Sequence, residues 1–159
     1  MSIHIILVIL LSLSSWAPYP PQFPYMFQPG SPVRIQNFIY PEEACNWDGI
    51  GGQVFDRNGQ PVANLVVRIY GLYNGSPLYA NVLTGVSQKF GPGGYEYKLG
   101  STPTMPAASL TVQVFSLTGE TLSYPLVVTT GGTCDSNLIL VNFREVTSLY
   151  DQIFPLIKK

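Results

Sequence analysis

The sequence predicts an all-β protein, a seven- to eight-stranded antiparallel β-sandwich with an apolar N-terminal segment and a short C-terminal helix or tail. Three observations predict it. Turn formers are abundant, with 15 Gly and 14 Pro in 159 residues, and the 10 Tyr and 8 Phe favour strands over helices. Short alternating apolar runs recur, with turn signals about every ten residues. Helical spacing appears only near the C-terminus. The length suits one domain.

Residues 1–17 begin the chain with an almost unbroken apolar run, 3–16. It is shorter than the roughly 20 residues that a transmembrane helix needs. It matches a signal-peptide core, and Ser15-Trp16-Ala17 supplies a small-x-small cleavage site. Against cleavage, no Lys or Arg precedes the run and Pro18 follows directly. The alternatives are a retained membrane or assembly anchor, with membrane contact through residues 3–16, and a buried core strand or helix. The signal-peptide and anchor readings both place the protein outside the cytoplasm, secreted or at the cell surface.

Residues 18–44 start with six prolines between positions 18 and 32, which exclude a helix or a central strand. The stretch reads either as a polyproline-like spacer or as an aromatic strap on a neighbour. Tyr19, Phe23, Tyr25, Met26 and Phe27 are costly to leave in water.

The sandwich proper is expected over residues 45–143. Residues 33–40 read as an edge strand before it. Residues 50–56 lead into Asn58-Gly59, a strong hairpin signal, and residues 65–70 return antiparallel with Leu65, Val67 and Ile69 opposite Arg68. Residues 79–86 form a weaker strand, and 90–94 a tight turn. Over 95–99, Tyr95, Tyr97 and Leu99 face the core, while Glu96 and Lys98 face solvent. Residues 110–115 alternate cleanly, 126–130 return after Thr118-Gly119, and 137–143 close the set. Gln53-Val54-Phe55 with Gly59 recurs as Gln113-Val114-Phe115 with Gly119. The echo predicts two hairpins of the same turn chemistry, one in each half of the sandwich. In the 144–159 tail, Val146, Leu149, Tyr150, Ile153, Phe154 and Ile157 share one helical face, which Pro155 interrupts. So short a helix needs a surface to pack on, in its own domain or in a neighbour.

Residues 52–62, Val66-Val67-Arg68-Ile69 and Gly93-Gly94-Tyr95-Glu96-Tyr97 resemble the opening of carboxypeptidase regulatory-like domains, which are transthyretin-like sandwiches. With Cys45-Asn46-Trp47 and residues 134–143 added, the chain is similar to small domains of exported bacterial surface proteins. About 100 residues carry the likeness. It implies accessory, surface or adhesion roles without catalysis.

Cys45 and Cys134 are the two cysteines, placed before the first and the last core strand. Such sites are neighbours at one end of a sandwich, and a disulfide is the natural outcome in an oxidising compartment. Zinc would need more ligands, and no base stands by to activate a thiol, because the single histidine is His4. Trp47 is expected to pack on the disulfide.

The remaining chemistry is sparse. Net charge is −1 and the eight Lys/Arg are scattered, which argues against nucleic acid. Charged residues make up 11%, against about 25% in an ordinary domain, and such a surface tolerates close protein contact. No histidine serves a catalytic triad, and P-loop, HExxH and GxSxG motifs are missing. Glu42, Glu43 and Asp48 are the one acidic cluster and do not match a calcium-loop pattern. Asn74-Gly75-Ser76 fits a glycosylation acceptor. Trp47, Tyr70, Tyr73, Tyr79 and Tyr124 are candidates for stacking on sugars. No enzyme activity, cofactor or metal is expected. The expected role is a structural or assembly module, self-associating or part of a larger complex. It would make contacts through Tyr19, Phe23, Tyr25, Phe27, Leu149, Ile153 and Phe154. The alternative is a secreted module that binds glycans or peptides.

Overall fold

Strand formation follows the alternation of apolar residues, and ten strands result: β1 (Tyr25–Phe27), β2 (Val33–Ile35), β3 (Asp48–Phe55), β4 (Val66–Tyr73), β5 (Ser76–Leu83), β6 (Gly94–Gly100), β7 (Ser109–Phe115), β8 (Leu126–Thr129), β9 (Leu138–Leu140) and β10 (Phe143–Glu145). The structure, a computed structural model, describes residues 23–103 and 107–147. Single 3-10 turns lie at Gln88–Phe90 and Cys134–Ser136. The expected C-terminal helix falls largely outside the described residues.

One sheet holds six strands and the other four, in the order β5-β4-β7-β8. The six strands make four rows. β9 and β10 run parallel to β3 in one shared register, Gly49 facing Leu138 and Val54 facing Phe143. They are one strand kinked at Val141 and Asn142. β1 and β2 pair antiparallel to β10 and β9, so they form the outer row, and β6 flanks β3 on the other side. The sandwich is therefore four rows on four, and it includes parallel pairs where a purely antiparallel sandwich is expected. It also takes in more chain than residues 45–143, since β1 and β2 precede Cys45 and β10 ends at Glu145.

The core lies between the sheets. Ile50, Val54, Tyr95, Ile139, Val141 and Phe143 meet Val67, Ile69, Leu110, Val112, Val114 and Val128. Each such side chain, fully buried, stabilises by roughly 1.5–3 kcal/mol relative to exposure. Tyr95 keeps its hydroxyl satisfied by donating to the Val141 carbonyl at 2.8 Å, and burial pushes its pKa up.

A second cluster of Ile39, Trp47, Phe90 and Leu138 lies apart from that core. Gly49 and Gly51 on β3 make room for it: a Cβ on Gly49 would meet the Trp47 ring at 2.6 Å, and one on Gly51 would overlap Phe90. Trp47 therefore packs over a glycine of β3, with Tyr40 beside it at 6.0 Å between ring centroids. The loop before β3 is tied down by two asparagines. Asn37 N–H donates to Asn137 Oδ1 at 2.7 Å, and Asn137 Nδ2 donates to the carbonyls of Ala44 and Trp47. The Cys45–Cys134 disulfide closes the same corner, with Cα atoms 5.0 Å apart and a sequence separation of 89.

The echoed motifs build the same turn. In one, Asp56 and Gln60 pair through Asp56 N–H, Gly59 N–H returns to Asp56 O, and Val62 N–H reaches Val54 O. In the other, Ser116, Glu120, Gly119, Leu122 and Val114 take the matching places. The second turn continues as the hairpin β7–β8. The first does not: after a single bridge, Phe55 to Pro61, the chain crosses to the other sheet, so residues 65–70 do not return along β3.

Candidate interaction surface

The four-stranded sheet has one charged residue on its strands, Arg68. Register builds its outer face in rows. Arg68 lies between Asn81 and Gln113, Tyr70 between Tyr79 and Thr111, and Thr111 beside Val127. The Arg68 guanidinium sits 3.9 Å from the Phe115 ring centroid and 5.2 Å from that of Tyr79, and its Nε donates to Asn81 Oδ1 at 3.0 Å. The one charge is thus held flat by cation–π contacts. Leu72 is 59% exposed and Tyr79 65% exposed. This surface is low in charge and partly aromatic, with little to keep another protein at a distance.

Beside the other sheet several charges are paired. Tyr40 donates to Glu96 Oε1 at 2.5 Å and Ser87 donates to Glu96 Oε2 at 2.7 Å. The hydrogen bond to Glu96, with smaller contributions from burial and the neighbouring carboxylates, pushes the Tyr40 pKa up to about 12. Lys89 lies 3.7 Å from the Tyr40 ring centroid and 4.0 Å from Glu42, while Lys98 pairs with Glu43. The expected acidic cluster is thereby dispersed: Glu42 and Glu43 pair with lysines, and Asp48 is wholly buried. Among the described residues no group of three or more His, Cys, Asp or Glu is placed to hold a metal.

Asp48 is the least compensated buried polar group among the described residues. Its Oδ2 accepts from the Tyr73 hydroxyl at 2.9 Å, and its Oδ1 has no partner. Desolvation raises its pKa, against the opposing effects of the Tyr73 hydroxyl and the Gly49 amide.

Of the expected partner contacts, Tyr19, Leu149, Ile153 and Phe154 lie outside the described residues. Phe23 stacks edge-on against Tyr124 at 4.8 Å, and Tyr25 packs against the core as its N–H donates to Leu122 O at 2.9 Å. These two aromatics are committed to their own domain, and Phe27 is the exposed member of the strap. The stacking candidates do not converge: Trp47 and Tyr73 are buried, Tyr124 lies with Phe23, and Tyr70 with Tyr79 alone form a pair. Asn74-Gly75 makes the exposed turn between β4 and β5, both residues at positive φ.

Neither family models nor curated proteins match the chain. Geometry therefore carries the functional argument. Sequence reading missed the outer face of the four-stranded sheet. Its signal was there, in four strands with a single charge, but only the sheet order puts them side by side.

Proposed function

We propose that this protein is a non-catalytic structural subunit acting outside the cytoplasm. In this reading it packs against other protein through the weakly charged face of the four-stranded sheet and through its terminal extensions. The observation that carries the proposal is that sheet with one charge, Arg68, and with Leu72 and Tyr79 open to solvent. The disulfide fits an oxidising compartment. The likeness to carboxypeptidase regulatory-like domains of surface proteins points the same way. The test is size-exclusion chromatography with light scattering on the full chain. Multimers are expected, and Leu72→Lys with Tyr79→Lys should shift them toward monomer. A monodisperse monomer of the unmodified chain overturns the proposal.

A second reading rests on the Tyr70–Tyr79 pair beside Arg68, a geometry suited to stacking on a sugar ring. Binding on a glycan array that is lost in Tyr79→Ala would favour it.

A further inference from the structure

The sandwich has two lateral sides. On one, the turn after β5 is bonded to β6, with Gly85 N–H on Gly94 O at 2.8 Å. On the other, β8 faces the β1–β2 row. Half of that side is closed, because Tyr25 bridges Ser123 and Phe23 covers Tyr124. The other half is open. Between β2 and β8 lies a cavity of about 240 Å³ lined by Pro32, Arg34, Val127, Val128, Thr129 and Ile139. It reaches the core, since Ile139 is 1% exposed and Val128 3%. Among the described residues β8 pairs only with β7 and β2 only with β9, so both walls present unpaired backbone. β8 has neither the charge nor the proline that natural edges use to repel an added strand, and its Val127 is 65% exposed.

We infer that this slot accepts an added strand, and that the strand is the apolar segment 3–16 of a second copy of the chain. The inference rests on the assembly reading above and names its contact. A strand seated between two sheet edges over Ile139 turns one face to the core, and residues 3–16 supply apolar side chains for that face. The segment also has no Lys or Arg to oppose Arg34 at the slot. Where the chain leaves the domain favours exchange between copies. Phe23 lies on Tyr124, at the head of β8, with 22 residues preceding it. Pro18, Pro20, Pro21 and Pro24 favour an extended connection of about 3.1 Å per residue. Such a connection would take residues 3–16 away from their own slot and toward another.

The test uses the full chain, with intact mass first. Assembled material lacking residues 3–16 overturns the inference. Copies carrying Val8→Cys are then co-expressed with differently tagged copies carrying Val127→Cys and treated with a bismaleimide, the native cysteines being paired. A cross-link joining the two tags is expected. A cross-link formed only within a chain bearing both substitutions overturns it, because the segment then fills its own slot. Absence of any cross-link while multimers persist overturns the slot and leaves the assembly reading standing. A monomeric unmodified chain overturns both. Independently, Val127→Lys at this exposed edge should weaken association about tenfold or more, because a lysine on an edge strand opposes the pairing of an added strand. Unchanged association also overturns the inference.

Discussion

Asp48 sits at the start of β3 with one carboxylate oxygen on Tyr73 and the other unpartnered, wholly out of solvent. Its folded pKa is raised above the ordinary value, so the folded state holds the proton more tightly than the unfolded chain. The stability this gives is complete below the unfolded pKa and is lost as pH rises through the folded one. Thermal melts should therefore fall from mildly acidic toward neutral pH. Asp48→Asn should flatten that slope and raise stability at neutral pH, because the amide has no proton to lose and no charge to bury. An unchanged slope would assign the pH dependence to other groups. The sequence alone hides this role, because proximity along the chain groups Asp48 with Glu42 and Glu43, and only folding turns it inward. The glycines of β3 are a similar case. Gly49 and Gly51 leave space for Trp47 and Phe90, so Gly51→Val should displace the Phe90 ring. Overpacking of this kind costs about 1–3 kcal/mol or more, readable by denaturant unfolding.

At the scale of elements, the repeated turn was the most readable feature. The spacing of Phe55 to Gly59 and of Phe115 to Gly119 encodes a local structure, and local structure needs nothing from the rest of the chain. Asp56 Oδ1 accepts from the amides of Asn58 and Gln60, at 2.8 and 2.7 Å, and Ser116 Oγ does the same for Glu120 at 3.0 Å. Asp56→Ala is expected to cost about 1 kcal/mol by urea unfolding. The path of the chain beyond each turn was not readable. Residues 65–70 and 126–130 have similar alternation, yet β8 returns along β7 while β4 joins the opposite sheet. The difference is decided by partners remote in sequence: β9 and β10 occupy one side of β3 and β6 the other, leaving no edge for β4. The strands β1 and β2 were similarly obscured, because proline-rich sequence forms strands only at an edge, and which edge is free depends on the whole sheet.

For the molecule as a whole, two cysteines and a run of alternating segments were enough to anticipate a stapled sandwich. The disulfide closes a loop of 89 residues, for which chain entropy predicts roughly 4–5 kcal/mol as an upper value. Reduction, or Cys45→Ser with Cys134→Ser, should lower the unfolding free energy by up to that amount with little change in far-ultraviolet circular dichroism. Loss of strand content on reduction would mean that the staple specifies the fold as well as stabilising it. The weakly charged sheet face lay beyond sequence reading for a different reason. Its residues come from four separate segments, and low charge in each segment alone marks only a strand.

The position of the staple also bears on mechanical load. The two described ends lie together, with Val146 N–H on Pro24 O at 2.8 Å, and β1 and β10 run antiparallel from that point. Tension applied through both ends would peel these two strands apart one bond at a time. Peeling then stops at Cys45 and Cys134, because force passes across the sulfur bridge and bypasses the chain between them. The oxidised protein should therefore lengthen under pulling only by residues 24–44 and 135–146, and the reduced protein by the full domain. Stretched in series within an assembly, such a subunit would give a short extension bounded by the staple, with the chain between Cys45 and Cys134 shielded from the load.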